Sequence, residues 1–136
     1  MVKKVEIYCA EVSILSSNVF LIAYRTDIEI ELNHIKELEQ TLIDLSNGGD
    51  IYTVVDSIGA YINISNEGQN FLAKEASIVI EKKIKASAVL IRNLPNRLVA
   101  KFFMVFYKPL FPIKIFAEQS AALSWLESIQ KGKQPA

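Results

Sequence analysis

The sequence predicts one α/β domain in which a mainly parallel sheet of four or five strands is covered by about four helices. Short apolar segments rich in β-branched residues alternate with longer segments whose apolar residues recur every three or four positions, a pattern typical of βαβ units. No helical segment separates the first two apolar stretches, so we expect an N-terminal β-hairpin. The 136 residues are 51% hydrophobic, which is enough for one core. We expect residues 1–131 to form this domain and residues 132–136 to fray.

Each expected strand is a short apolar run next to a turn signal. Alternation of apolar and polar residues predicts the first strand, and the Ser-Ser-Asn turn at residues 16–18 precedes the second. The later runs are apolar enough to be buried on both faces. The expected strands are residues 5–9, 19–24, 51–55, 87–91 and 113–116.

The expected helices follow the helical spacing of apolar residues and are bounded by capping signals. Gly48 and Gly49 follow the first helix, Ser65 is a suitable N-cap for the second, and Pro109 prevents the third from continuing. The expected helices are residues 33–46, 66–83, 96–107 and 119–130.

Composition excludes several functional classes. The 15 basic and 15 acidic residues give a formal net charge of zero, so we expect no nucleic-acid binding. A single Cys and a single His exclude a Cys–His zinc site and an internal disulfide, and no glycine-rich phosphate-binding motif is present. We therefore expect no cofactor and no metal. Glu6 and Glu11 interrupt any signal peptide, and no apolar stretch is long enough to span a membrane, so we expect a cytoplasmic protein.

Catalytic residues are hard to find. Cys9 falls in a predicted strand, where a cysteine usually serves as a small apolar residue, and His34 lies near a solvated helix start. Asp56, Ser57 and Ser65 flank a loop at the carboxyl end of a strand, where ligands gather in open α/β sheets, although such residues also satisfy turns. We expect no enzyme, with these three residues as a candidate polar loop site.

The most distinctive segment is the third helix with the proline-rich turn that follows it. At about 100° per residue, Arg97, Lys101 and Lys108 form a narrow basic stripe beside an apolar arc that is wider than one sheet face requires. Either a neighbouring helix, a partner protein or a second subunit covers this arc, or the arc contacts lipid or an apolar ligand. Zero net charge favours the protein interface. The candidate lipid- or partner-binding residues are Arg97, Lys101, Phe102, Phe103, Phe106, Lys108 and Phe111.

Residues 107–116 (YKPLFPIKIF) and 121–126 (AALSWL) resemble the C-terminal signature of small bacterial STAS-like (SpoIIAA-like) proteins, a group compared with CRAL-TRIO lipid carriers. The resemblance implies a central sheet with packed helices, no catalysis, and docking on a kinase-like anti-sigma partner. It also implies membrane association through the aromatic helix.

In that family, phosphorylation of a serine in a turn at a helix start releases the partner. Gly68 matches the glycine of this turn, and the usual serine position is then occupied by Asn66 or Glu67, neither of which can be phosphorylated. The resemblance therefore does not carry a phosphorylation switch to this chain.

Taken together, these patterns predict a non-catalytic binding or regulatory module that acts through protein–protein contacts, with itself as a homodimer or with another protein. The alternative is a peripheral membrane or small-lipid binding protein that uses helix 96–107 and the following turn. A small enzyme working at Asp56 and Ser57 is the third hypothesis, but it lacks a paired nucleophile and base.

Overall fold

The structure is a computed structural model that describes residues 3–57 and 61–132. Its main feature is a six-stranded mixed sheet in the order β1-β2-β3-β5-β7-β8, beside a small two-stranded sheet of β4 and β6. The strands are β1 (Lys4–Glu6), β2 (Ala10–Ser16), β3 (Val19–Tyr24), β4 (Glu29–Ile30), β5 (Ile51–Asp56), β6 (Asn63–Ile64), β7 (Ile84–Leu90) and β8 (Ile113–Phe116). The predicted α/β class is confirmed, while the described sheet has six strands where four or five were expected.

The second strand of the predicted hairpin is confirmed as β3, residues 19–24, but its antiparallel partner is β2, residues 10–16, and not residues 5–9. The predicted strand over residues 5–9 is wrong because the chain turns there: the Ile7 amide donates to the Ala10 carbonyl at 2.9 Å. The short strand β1 precedes this turn and β2 follows it. Strands β1, β2 and β3 pair antiparallel, whereas β3, β5, β7 and β8 are parallel to one another.

Helices cover both faces of the main sheet. They are α1 (Leu32–Ser46), α2 (Asn66–Asn70), α3 (Ser77–Ile80), α4 (Leu94–Phe102) and α5 (Gln119–Gln130). A π-helical turn, Phe71–Glu75, extends α2, and a second, Phe103–Tyr107, extends α4. The predicted continuous helix over residues 66–83 is wrong, because Ala76 is extended and separates α3 from the preceding turn. The closing helix is confirmed at residues 119–130.

The core lies in two parts, one on each face of the sheet. On the first face, Ile35, Leu38 and Leu42 of α1 pack with α3 and with Phe20 and Ile22 of β3. On the second face, α5 packs against the alternate side chains of the central strands. That second cluster contains Val19, Tyr52, Val54, Ala86, Ala88, Leu90, Ala122 and Leu126. Helix α4 therefore packs on the first face, next to the region that α1 and α3 cover.

The glycine at the start of α2 has a packing role. A Cβ atom at Gly68 would lie 3.0 Å from Ile64 Cγ2 and 3.3 Å from Ile35 Cγ1, closer than ordinary contacts. The Ser65 hydroxyl accepts the Gly68 amide at 3.1 Å and caps the helix, as predicted. The glycine thus lets α2 approach α1 closely, and Ser65 is engaged in the cap.

Candidate functional site

Helix α4 and the turn after it present a continuous series of apolar side chains to solvent. We name this surface the α4 patch. Its members are between 56% and 73% exposed, which is high for side chains of this size. Large exposed apolar patches are uncommon on monomeric proteins, and where they occur they usually mark a surface that contacts a protein, a membrane or a ligand. The α4 patch consists of Leu94, Leu98, Phe102, Val105, Phe106 and Leu110.

The aromatic part of the α4 patch is held in place by its neighbours. The rings of Phe102 and Phe106 stack with centroids 5.0 Å apart, and Phe106 meets the ring of Tyr107 edge-on at 4.9 Å. Tyr107 is buried, and its hydroxyl donates to Asn66 Oδ1 at 2.9 Å. The patch is therefore a formed surface, anchored to α2 through Tyr107.

Two of the predicted patch residues lie elsewhere. Phe103 is only half-buried but turns to the inner side of the helix, where it lines the interior space under α4. Phe111 is also half-buried and packs against the core cluster of the first sheet face. Phe103 is turned inward because the 14-residue span from Leu94 to Tyr107 buries one side and exposes the other. Neither residue belongs to the α4 patch, and their role in binding stays a prediction.

The basic residues beside the α4 patch are exposed and have no ion pair among the described residues. They are Arg97, Lys101 and Lys108. Residue Lys108 also adopts a left-handed conformation, φ 50°, where the helical span ends. The five ion pairs that the described residues form all lie elsewhere, so this part of the surface keeps its positive charge.

The sequence carries a charge signal here that the net charge conceals. No Asp or Glu occurs between Glu81 and Glu118, and this stretch contains eight Lys and Arg residues. Two of the eight are paired, Lys85 with Asp50 and Arg92 with Glu118. The local composition would have distinguished this segment, whereas the whole-chain sum of zero did not. The eight are Lys82, Lys83, Lys85, Arg92, Arg97, Lys101, Lys108 and Lys114.

One end of the α4 patch borders a groove that contains carboxylates. Phe106 and Tyr107 border a shallow groove whose opposite side, formed by α2 and its π-helical turn, contains Glu67, Lys74 and Glu75. The Arg97 and Lys101 part of the helix does not line this groove.

Beneath α4 lies an apolar cavity of about 150 Å³. It is at the carboxyl end of the parallel strands, between the first sheet face, the inner side of α4 and the loop that precedes α2. Among the residues that the structure describes, the lining includes no charged side chain. The residues are Tyr24, Val55, Ser57, Tyr61, Ile62, Ile64, Gln69, Leu72, Val89, Ile91, Asn96, Val99, Ala100, Phe103, Met104 and Ile113.

The candidate polar loop site is dispersed. Ser57 is buried and lines the cavity, and its carbonyl accepts the Asn96 side-chain amide at 2.8 Å. Asp56 is exposed at the end of β5, and Ser65 caps α2; neither lines the cavity. The three residues therefore share a region of the fold without converging on one point, and Asn96 is a cavity residue that sequence reasoning missed.

Cys9 and His34 lie close together, yet they do not form a nucleophile–base pair. The Cys9 thiol is directed at the His34 backbone carbonyl, at 3.6 Å, and the ring Nδ1 of His34 accepts the Glu31 amide at 2.9 Å. Burial, followed by the nearby carboxylate of Glu37, raises the pKa of Cys9 to about 11. A thiol in this state is neutral at physiological pH.

The Cys9 thiol is therefore expected to react slowly with iodoacetamide in the native protein. At pH 8 a pKa near 11 leaves at least about a hundredfold less thiolate than a free cysteine has, and burial slows access further. Alkylation rates measured by mass spectrometry, with the guanidinium-unfolded chain as control, check this. Native and unfolded rates within a factor of about three would contradict the burial of Cys9.

Over residues 3–57 and 61–132, no group of three or more His, Cys, Asp or Glu side chains could hold a metal ion. No helix in the same residues has the length and apolar character needed to cross a bilayer.

The fold and the site define an α/β domain with an exposed amphipathic helix and a small apolar cavity beneath it. The model of the DUF7793 family, a domain of unknown function, matches residues 13–130, so the chain belongs to that family. No curated protein and no solved structure matches the chain. The resemblance to STAS-like proteins stays a prediction.

Proposed function

We propose that this protein is a non-catalytic binding module that docks on anionic membrane surfaces through the α4 patch. The observation that carries the proposal is the juxtaposition of exposed Phe102, Phe106 and Leu98 with Arg97 and Lys101, which form no ion pair with any described residue. An amphipathic helix with aromatic and aliphatic residues on one side and basic residues beside them lies in the headgroup region of a bilayer.

The magnitudes favour reversible binding. Each Lys or Arg near an anionic surface contributes about 1 kcal/mol, so Arg97, Lys101 and Lys108 together contribute about 3 kcal/mol at low salt. Stable peripheral binding requires a second contribution besides electrostatic attraction, and insertion of the six apolar side chains of the α4 patch supplies it. The basic residues and the apolar side chains lie on the same surface of the protein.

A protein partner or a second copy of the chain would cover the same patch, which was the function favoured by the zero net charge. The segregation of charge removes that reason, because the positive charge is concentrated where the contact would form. A second copy would bring Arg97 and Lys101 of both molecules to one interface, where like charges oppose association. The membrane-associated behaviour implied by the STAS-like resemblance supports the same choice.

The test is co-sedimentation with vesicles of neutral phosphatidylcholine and with vesicles that also contain phosphatidylglycerol. The wild type is expected to bind the anionic vesicles, and the Phe102→Ser/Phe106→Ser variant to lose at least about tenfold in affinity because it loses two inserted rings. Both rings are exposed, so circular dichroism should show an unchanged fold.

Tyr8→Ser is the matched control. Tyr8 is 52% exposed and has Arg25 over its ring, but it follows the edge strand β1, outside α4, and Arg25 is paired with Asp27. This variant should bind like the wild type. The proposal would be refuted if the wild type did not bind anionic vesicles. If light scattering also gave a dimer mass that the Phe102→Ser/Phe106→Ser variant lost, the α4 patch would be a dimer interface.

A further inference from the structure

The cavity under α4 has a lining that selects for small neutral molecules. Aliphatic and aromatic side chains dominate it, and none of its residues carries a charge. Burying an ionised group in such a lining without a partner is strongly unfavourable. A carboxylate or an amine is therefore excluded from the interior, which distinguishes this site from the basic outer face of the same helix.

The volume limits the size of the occupant. A protein cavity of about 150 Å³ with an aliphatic and aromatic lining binds benzene or xenon in another protein. A single six-membered ring with one small substituent is therefore the size class that fits. A neighbouring space of about 90 Å³ shares Tyr24, Val55, Leu72 and Phe103 with the cavity, so these side chains separate two gaps in the packing on the same sheet face.

The cavity also holds a hydrogen-bonding group without an assigned role. The Tyr24 side chain lines both spaces, and among the described residues its hydroxyl has no hydrogen-bond partner. Burial raises the pKa of Tyr24, so the phenol stays neutral and keeps its proton. Two other polar side chains at the cavity already bond within the protein: Asn96 to the Ser57 carbonyl, and Gln69 to the Ile64 carbonyl. The hydroxyl-bearing side chains of Ser57 and Tyr61 also line the cavity, but only Tyr24 lines both spaces.

We propose that the cavity under α4 is a binding site for a small uncharged ring compound that carries one hydrogen-bond acceptor, with the Tyr24 hydroxyl as the donor. The apolar walls supply most of the affinity, and Tyr24 orients the polar group. The site is independent of the docking surface proposed above, because it uses the inner side of α4 and the docking surface uses the outer side.

The chain provides its own reporter for this site. It contains two methionines, and Met104 lines the cavity while Met1 is the first residue. Labelling the methionine methyl groups with ¹³C gives two NMR signals, and a Met104→Leu variant assigns them. The probes are toluene, phenol and benzoate, which share a ring and differ in polarity and charge.

Phenol and toluene titrated into the millimolar range are expected to shift the Met104 signal, and benzoate is expected to leave it unchanged. Tyr24→Phe should weaken phenol binding about fivefold, because it removes the donor, and should leave toluene binding unchanged. Ala100→Leu fills the cavity and should abolish both shifts, while Ala121→Leu, at an exposed position of α5, should abolish neither.

Three results would overturn the proposal. They are the absence of any Met104 shift with phenol and toluene, a benzoate shift equal to that of phenol, and binding that survives Ala100→Leu in a folded variant. Phenol affinity unchanged by Tyr24→Phe would refute the assignment of Tyr24 as donor. Because the readout is a methyl signal in the cavity, failure here leaves the vesicle experiment unaffected.

Discussion

Replacing Arg97 and Lys101 by glutamate is expected to lower affinity for anionic vesicles by at least about tenfold at low salt. Each position loses an attraction of about 1 kcal/mol and gains a repulsion of similar size, so the upper limit is about 4 kcal/mol. The loss is smaller when the two side chains do not approach the membrane surface fully. A tenfold loss of affinity corresponds to about 1.4 kcal/mol. Both residues are exposed and unpaired, so the fold should tolerate the change.

A second double variant separates local charge from total charge. Lys4→Glu/Lys131→Glu changes the net charge by the same amount, from zero to −4, but at positions away from α4 and already paired with Glu11 and Glu127. It is expected to lose far less affinity than Arg97→Glu/Lys101→Glu. Equal losses in the two variants would show that vesicle binding follows total charge and does not involve the α4 patch.

Salt gives an independent check. Screening shortens electrostatic attraction to about 8 Å at physiological ionic strength, so the difference between the wild type and the Arg97→Glu/Lys101→Glu variant should shrink as salt is raised. The effect of Phe102→Ser/Phe106→Ser should persist, because insertion of apolar rings does not depend on screening. Sedimentation at two salt concentrations therefore distinguishes the two contributions.

Local patterns predicted the elements whose packing is simple. The helix over residues 119–130 has one apolar stripe facing one sheet face, and its bounds were predicted as found. The strand over residues 19–24 was also predicted as found, but the division into β1 and β2 was missed although the signal was present: apolar residues fall on odd positions from Val5 to Cys9 and on even positions from Ala10 to Ile14. A change of phase of this kind indicates a turn, and the structure has the turn there.

The break in the second predicted helix depends on a distant residue. Glu39 of α1 accepts hydrogen bonds from the Ser77 hydroxyl at 2.8 Å and from the Ile78 amide at 3.1 Å. This carboxylate acts as the N-terminal cap of α3 although it comes from another element, so periodicity within residues 66–83 could not reveal it. Non-local capping of this kind is visible only after the helices are packed.

The candidate site divides in the same way. The amphipathic character of the α4 segment is a local property, and sequence analysis identified it with Phe102, Phe106, Arg97 and Lys101. The cavity is not local, because its walls come from five strands, from helices α2 and α4 and from the π-helical turns that extend them. The inward position of Phe103 could not be predicted for the same reason: periodicity gives the arc that is apolar but not which part of it faces the sheet.

Leu126→Ala is expected to cost about 2–5 kcal/mol of unfolding free energy, the usual range for a buried leucine. Leu126 is fully buried, and it packs α5 against Val54 and Ala88 on the second sheet face. Among the described residues α5 is the only helix in that cluster, and the strands facing it offer small alanine side chains that cannot fill a cavity. A domain of this size has about 5–15 kcal/mol in total, so the loss is a large fraction of its stability.

Leu123→Ala is the control within the same helix. Leu123 is only half-buried at the edge of that cluster, so the same chemical change should cost less than half as much. Urea unfolding followed by circular dichroism gives both values, and an unchanged m-value would show that the native surface is preserved. Equal losses at positions 123 and 126 would contradict the placement of α5 on this face.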